Sequence, residues 1–243
     1  MIQGGIFVGI LDLLFPKRCV GCGKIGNYFC TRCISSIKII RANEAICPVC
    51  EKPAIDGATH PGCKTRYCLD GLTSFFRYDG VVRQAVKAIK YRYISDLAKE
   101  FISLIPPSSF EVTKLLSNQV TIFVPLPLHW LRLRDRGFNQ AEALGRLLAG
   151  RLPAGEAGLH ITLRIDILRR VKMTEPQVEM KKREDRLKNM EHVFGIPSHI
   201  SVSQYPNILL FDDVFTTGAT MRAAGETLKR AGAKSVWAVT MAR

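Results

Sequence analysis

No cysteine lies beyond Cys68, although all eight of the chain's cysteines fall between Cys19 and that residue. The 243 residues also lack any uninterrupted apolar run of about 18 residues, the length a membrane-crossing helix requires. The segment from Ile2 to Phe15 is apolar but short. It contains Asp12, ends at Pro16 and has neither a basic start nor a small-residue cleavage site, so it reads as an amphipathic helix packed on the protein and not as a signal peptide. Without a secretory signal, the cysteines are expected to bind metal in a cytoplasmic chain instead of pairing as disulfides. Acid is scarce as well: 21 Asp and Glu stand against 35 Lys and Arg, a formal charge of +14. Beyond the two cysteine clusters there is no internal repeat, and there is no long low-complexity tract.

The cysteine spacing carries the clearest chemistry. Cys19-x2-Cys22-x7-Cys30-x2-Cys33 supplies two knuckles that can close a tetrahedral zinc site, which a small segment uses in place of a core. A second set begins with Cys47-Pro48-Val49-Cys50, and its other half can be His60-x2-Cys63 or Cys63-x4-Cys68. The two-residue spacer and the turn-forming Pro61-Gly62 favour His60 with Cys63, leaving Cys68 as a small buried residue. Two structural Zn²⁺ ions are therefore expected. Bound thiolates would bring the formal charge to about +11, still basic enough to meet a diphosphate or single-stranded nucleic acid. No base-reading motif accompanies that charge.

Beyond residue 70 strands and helices alternate. Leu72 to Tyr78, Val120 to Val124, Ile161 to Ile167, Ile208 to Phe211 and Val236 to Thr240 read as strands. Helical faces run through Val81, Val82, Ala85, Val86 and Ile89, from Leu97 to Ile105, and from Ala141 to Leu148. This pattern predicts an α/β fold with a mainly parallel sheet flanked by helices. It gives two units: residues 1–70, a zinc-binding module with a short N-terminal helix, and 71–243, a layered domain.

The most informative segment runs from Ile208 to Thr220. Four apolar residues end in Asp212 and Asp213, and Phe215 leads into Thr216, Thr217, Gly218, Ala219 and Thr220. Met221, Ala224, Leu228 and Ala231 follow at helical spacing. The turn thus stands at a helix N-terminus, where unpaired N–H groups, the helix dipole and threonine hydroxyls suit a phosphate monoester. The adjacent carboxylates can accept hydrogen bonds from vicinal ribose hydroxyls. Two further segments are basic. Val124-Pro125-Leu126-Pro127-Leu128-His129 opens into Arg132, Arg134 and Arg136 before Asn139, a loop suited to diphosphate. Leu168-Arg169-Arg170, Thr174, Pro176, Gln177, Arg183, Arg186 and Asn189 form a polar stretch suited to a lid.

The segment from Ile208 to Thr220 resembles the signature of the type I phosphoribosyltransferases. Taken with Leu14-Phe15-Pro16, Phe76-Arg77-Tyr78-Asp79-Gly80, Lys90-Tyr91, Arg136-Gly137-Phe138-Asn139-Gln140, Thr174-x-Pro176-Gln177 and Arg186-x2-Asn189, the whole chain resembles the ComF family, including its GntX-like relatives. The resemblance implies a type I phosphoribosyltransferase-like domain behind a zinc module and a role in DNA uptake, with uptake proteins as partners. It implies binding of 5-phosphoribosyl diphosphate (PRPP) with Mg²⁺, the ribose at Asp212 and Asp213 and the 5-phosphate on residues 216 to 220. Arg136, Gln177 and Arg186 are the candidates for the diphosphate and lid. Thr216 stands where purine-salvage members carry an aspartate, and a threonine is no general base near neutral pH. No catalytic base is assigned. An enzyme transferring ribose phosphate to an unidentified acceptor, a non-catalytic module binding the sugar diphosphate or single-stranded DNA, and a zinc-stabilised DNA-binding protein with a vestigial sugar site all stay open.

Overall fold

A computed structural model of the chain describes residues 16–91, 95–110, 121–152, 161–172 and 192–243. The helix expected before Pro16 lies outside them, as do Thr174, Pro176, Gln177, Arg183, Arg186 and Asn189. Elements follow in the order α1 (Thr31–Ser35), β1 (Gly71–Phe76), α2 (Gly80–Tyr91), α3 (Ser95–Ser103), β2 (Thr121–Pro125), α4 (Trp130–Arg136), α5 (Gln140–Ala149), β3 (Thr162–Leu163), β4 (Arg169–Arg170), β5 (Phe194–Gly195), β6 (Asn207–Val214), α6 (Ala219–Arg230) and β7 (Ser235–Ala242). The five-stranded sheet has the order β1-β7-β6-β2-β3, every neighbouring pair parallel, and β4 pairs antiparallel with β5.

The near-continuous apolar runs in β2, β6 and β7 follow from this topology, because a parallel sheet covered on both faces buries successive residues. Ile208 through Phe211 are all buried, as are Val236 through Ala242. Helix α2 presents Val82, Ala85, Val86 and Ile89 to the core, and α6 presents Met221, Ala224 and Leu228. The cysteine-rich segment packs onto the same core: Phe29 stacks on Phe101 of α3 at 5.8 Å, and Glu100 accepts from the Tyr28 and Phe29 amides. Asp70 accepts from the Val236 amide at 2.8 Å and pairs with Lys229 at 2.7 Å, which fixes the point where the chain enters the sheet.

Two expectations change. The alternation from Ile161 to Ile167 yields only a two-residue strand, because Arg164 forks onto both carboxylate oxygens of Asp166 and onto Tyr205, bending the chain so that Ile165 faces solvent. The arginine-rich loop after β2 is instead helix α4. His129 caps its Leu131 amide and Gly137 terminates it.

Candidate functional site

The chain leaving β2 goes outward to β3, and the chain leaving β6 goes the other way to β7. Such a divergence leaves a crevice at the carboxyl ends of the two strands. Asp212 and Asp213 stand at that end of β6. Asp213 is buried, and Lys90 at the end of α2 reaches it, Nζ to Oδ2 2.9 Å. Burial opposes the charge of Lys90, but Asp213 and Asp212 outweigh it and hold the ammonium more firmly protonated than usual. Asp212 accepts from the Asp213 amide at 2.8 Å. Burial first, and then the charge of Asp213, push its carboxyl up to about 7, against the pull of Lys90 and Arg170. The pair is thus short of positive charge or donors on its open side.

The loop beyond β6 turns through Gly218, whose φ of +66° is left-handed, and opens α6. Phe215 lies buried beneath it. A Cβ on Gly218 would come within 2.3 Å of the Phe215 ring, so glycine is required by both backbone conformation and space. The Thr217 hydroxyl is buried without a hydrogen-bond partner among the described residues. An orphaned donor of this kind is costly unless a ligand satisfies it. Thr216 is exposed and Thr220 half-buried.

A basic wall faces the acid pair. Arg170 of β4 helps to hold down the carboxyl of Asp212. Burial and the charge of Arg132 pull its own guanidinium down to about 10. Arg132 is likewise lowered by burial and by Arg136. Arg136 donates to Gln140 Oε1 at 3.2 Å and lies over Tyr91, 5.8 Å from the ring centroid. Residues Lys90 and Tyr91 therefore touch the acid pair and Arg136 respectively. Arg134 packs on the exposed Trp130. Asn139 caps α5 through the Ala141 amide and donates to the Leu126 carbonyl, tying the α4–α5 turn to the end of β2.

The two metal clusters form as the spacing suggests. The side-chain donors of Cys19, Cys22, Cys30 and Cys33 lie within 4.8 Å of one another, as do those of Cys47, Cys50, His60 and Cys63. A zinc tetrahedron with sulfur bonds of ~2.3 Å has edges of about 3.8 Å. Cys22 and Cys30 are 3.6 Å apart, and His60 Nδ1 is 3.3 Å from Cys50 Sγ, which fits such a tetrahedron. His60 Nε2 is 2.9 Å from the Pro53 carbonyl, so its N–H is used there and Nδ1 is left as a ligand atom. Cys68 stands apart, its sulfur exchanging hydrogen bonds with the backbone of Thr65. Thiol titration reflects the crowding. Burial opposes ionisation of Cys19, but the amides of Cys30, Cys22 and Gly21 overcome it and draw the thiol down to about 6. Burial and the neighbouring sulfurs push Cys33 up to about 12. Hydrogen bonding to Cys50, followed by burial, raises Cys63 to about 11, whereas backbone amides of Cys50, His60 and Val49 outweigh burial to lower Cys47 to about 7. A Zn²⁺ ion is the charge that lets all of these sulfurs ionise together.

Asp212, Asp213 and the 216–220 loop, each distinctive in the sequence, come together at one strand end. Lys90, which the sequence offers only within the Lys90-Tyr91 motif, and Arg222, which it does not mark, join that site, and Arg170, expected in a lid, acts on Asp212 from β4. Among the described residues no helix is long and apolar enough to cross a membrane.

Residues 10–70 match the double zinc ribbon domain. Competence protein ComFC of Streptococcus pneumoniae is 32% identical over 218 residues, which is 88% of this chain and 87% of that protein. Competence protein ComFC of Bacillus subtilis is 28% identical over 222 residues, 88% and 83% of the two chains. DNA utilization protein YhgH of Salmonella typhimurium is 26% identical over 211 residues, 84% and 86%. With a zinc ribbon at its N-terminus, a parallel α/β domain behind it, and this likeness along most of its length, the chain belongs to the ComF family.

Proposed function

We propose that the chain binds PRPP together with Mg²⁺ at the carboxyl edge of β6 and transfers its ribose phosphate to an acceptor. The observation that carries this reading is the coupling of a crowded carboxylate pair to a left-handed glycine turn at the start of α6. The 5-phosphate would take the amides at the start of α6 and the orphaned Thr217 hydroxyl. Asp212 and Asp213 would orient the ribose, with Lys90 pairing with Asp213 from the end of α2. Arg132, Arg136 and Arg170 would face the diphosphate and stabilise the charge it gains on departure. Oxygen donors of the acid pair and of the substrate suit Mg²⁺, which supplies further positive charge to the diphosphate. Gln177 and Arg186 complete the proposed site as lid residues. Residues 1–70 serve as the zinc-stabilised module, with His60 and not Cys68 as the fourth ligand of its second site, and residues 71–243 hold the sugar phosphate.

The competence-protein relatives support a role in DNA uptake, for which we propose uptake proteins as partners and the cytoplasm as the compartment. The chain's charge of +14 supports contact with single-stranded DNA in that role. One observation favours a non-catalytic module instead: Thr216 is an exposed threonine where a base-handling acid would stand. Release of diphosphate from PRPP separates the two. Slow Mg²⁺-dependent release that disappears in Asp213→Asn supports transfer. Tight binding of PRPP with no release, across a panel of nucleobases and amines, supports the module.

A further inference from the structure

The two metal knuckles share a left-handed backbone position after their second cysteine but place different residues there. In the first, Gly23 follows Cys22, has φ +77° and donates to the Cys19 carbonyl at 2.8 Å. Glu51 holds the same place in the second, with φ +61°, donating to the Cys47 carbonyl at 2.9 Å. Left-handed backbone suits glycine and strains glutamate, so this side chain is kept against a local cost. Its carboxylate faces Arg222, Oε1 to Nη1 3.8 Å.

Arg222 lies on the first turn of α6 with 18% of its side chain exposed. Its Nη1 donates to the carbonyl of Pro48, between Cys47 and Cys50, at 2.6 Å. Its Nη2 donates to the carbonyl of Thr217, inside the loop after β6. One guanidinium thus spans the second knuckle and the loop, gripping main chain at both ends. A rigid fork can hold two carbonyls at a set spacing, as a lysine ammonium cannot. Gly218 leaves the necessary room, since a Cβ there would lie 2.7 Å from Nη1. In a trans peptide the C=O and N–H point in opposite directions, so drawing the Thr217 carbonyl toward Arg222 turns the Gly218 N–H the other way.

We propose that Arg222 and Glu51 are positioning residues that couple metal occupancy at Cys47, Cys50, His60 and Cys63 to the loop's affinity for a phosphate monoester. This rests on the sugar-phosphate reading of the loop. A metal ion fixes the Pro48 carbonyl, the carbonyl and Glu51 fix the guanidinium, and the guanidinium fixes the Thr217–Gly218 peptide. Linkage makes the effect mutual: the ligand raises the second site's metal affinity by the factor by which metal raises the ligand's.

The test uses the full chain loaded with Co²⁺, whose visible bands distinguish a three-sulfur, one-nitrogen site from a four-sulfur site. Ribose 5-phosphate and PRPP are titrated into the wild type, Arg222→Met, Arg222→Lys and Glu51→Gly. In the wild type, ligand is expected to shift the second-site bands and tighten that site in competition with a chelator. Arg222→Met and Arg222→Lys should each lose about tenfold in ligand affinity, together with the metal response. Glu51→Gly relieves the strained φ, keeps its metal and should respond more weakly than the wild type. If Arg222→Met does not fold, Arg222→Lys carries the comparison. Wild-type ligand affinity and metal response in folded Arg222→Lys would overturn the coupling and leave the sugar-phosphate reading standing. No binding of either ligand by the wild type would overturn both.

Discussion

Replacing Asp212 by asparagine should make the protein more stable and a poorer binder at the same time. The native carboxyl is held up to about 7, because burial and Asp213 outweigh the attraction of Lys90 and Arg170. Unfolded, it would release its proton near 4. Between those values the native state holds a proton that the unfolded state has lost, so this group's contribution falls as pH rises from about 4 to about 7 and stays at its lowest above that. Three pKa units at about 1.4 kcal/mol each give a ceiling of about 4 kcal/mol. An amide group that must itself be buried takes back part of it, leaving about 2–3 kcal/mol. The asparagine can keep the acceptor for the Asp213 amide, now at 2.8 Å. For a chain of this size that is a rise of roughly 5–10 °C in Tm at pH 8, shrinking toward zero at pH 5. The assay is thermal unfolding of both proteins at the two pH values, in buffer freed of Mg²⁺ by exchange, since a chelator would strip zinc. A Tm difference that is zero or negative at pH 8, or equal at both pH values, would refute the electrostatic reasoning.

Metal analysis of protein prepared without chelator should return two zinc ions per chain. His60→Ala should return one, and Cys68→Ser two, because only His60 joins the second cluster. Gly218→Val should lower PRPP affinity by more than about tenfold. Its side chain would meet the Phe215 ring at 2.3 Å and disfavour the φ of +66°, disordering the loop from within, and calorimetry measures the loss. Binding to a single-stranded oligonucleotide should weaken steeply between about 50 and 200 mM salt with little sequence preference; fluorescence anisotropy that is flat with salt would contradict it.

What the sequence made legible was local. The zinc knuckles, the run into Asp212 and Asp213, and the 216–220 turn each lie within a few dozen residues, where spacing reports geometry directly. Helix α6 follows from its apolar period, and His60 from the two-residue spacer it shares with the first cluster. Contacts between distant segments carry no such signal. Lys90 meets Asp213 only because α2 ends above β6, and Arg222 reaches Pro48 across 174 positions of chain. Helix α4 carries little helical signal in its sequence, since its seven residues hold three arginines and leucines only two positions apart, with no buried face. Its capping by the His129 side chain is evident only in three dimensions. The alternation from Ile161 to Ile167 has the period of a strand, but the Arg164–Asp166 fork outweighs it.

The central claim is that the acid pair and the glycine turn together form one site for PRPP. Calorimetric titration of PRPP, with and without Mg²⁺, into the wild type, Asp212→Asn and Asp213→Asn tests it most directly. Binding should require Mg²⁺ for full strength and fall roughly ten- to a hundredfold in each variant, about 1.5–3 kcal/mol per lost charge-assisted contact. Equal affinity in all three proteins, or no heat of binding to a correctly folded, zinc-loaded wild type, would contradict it.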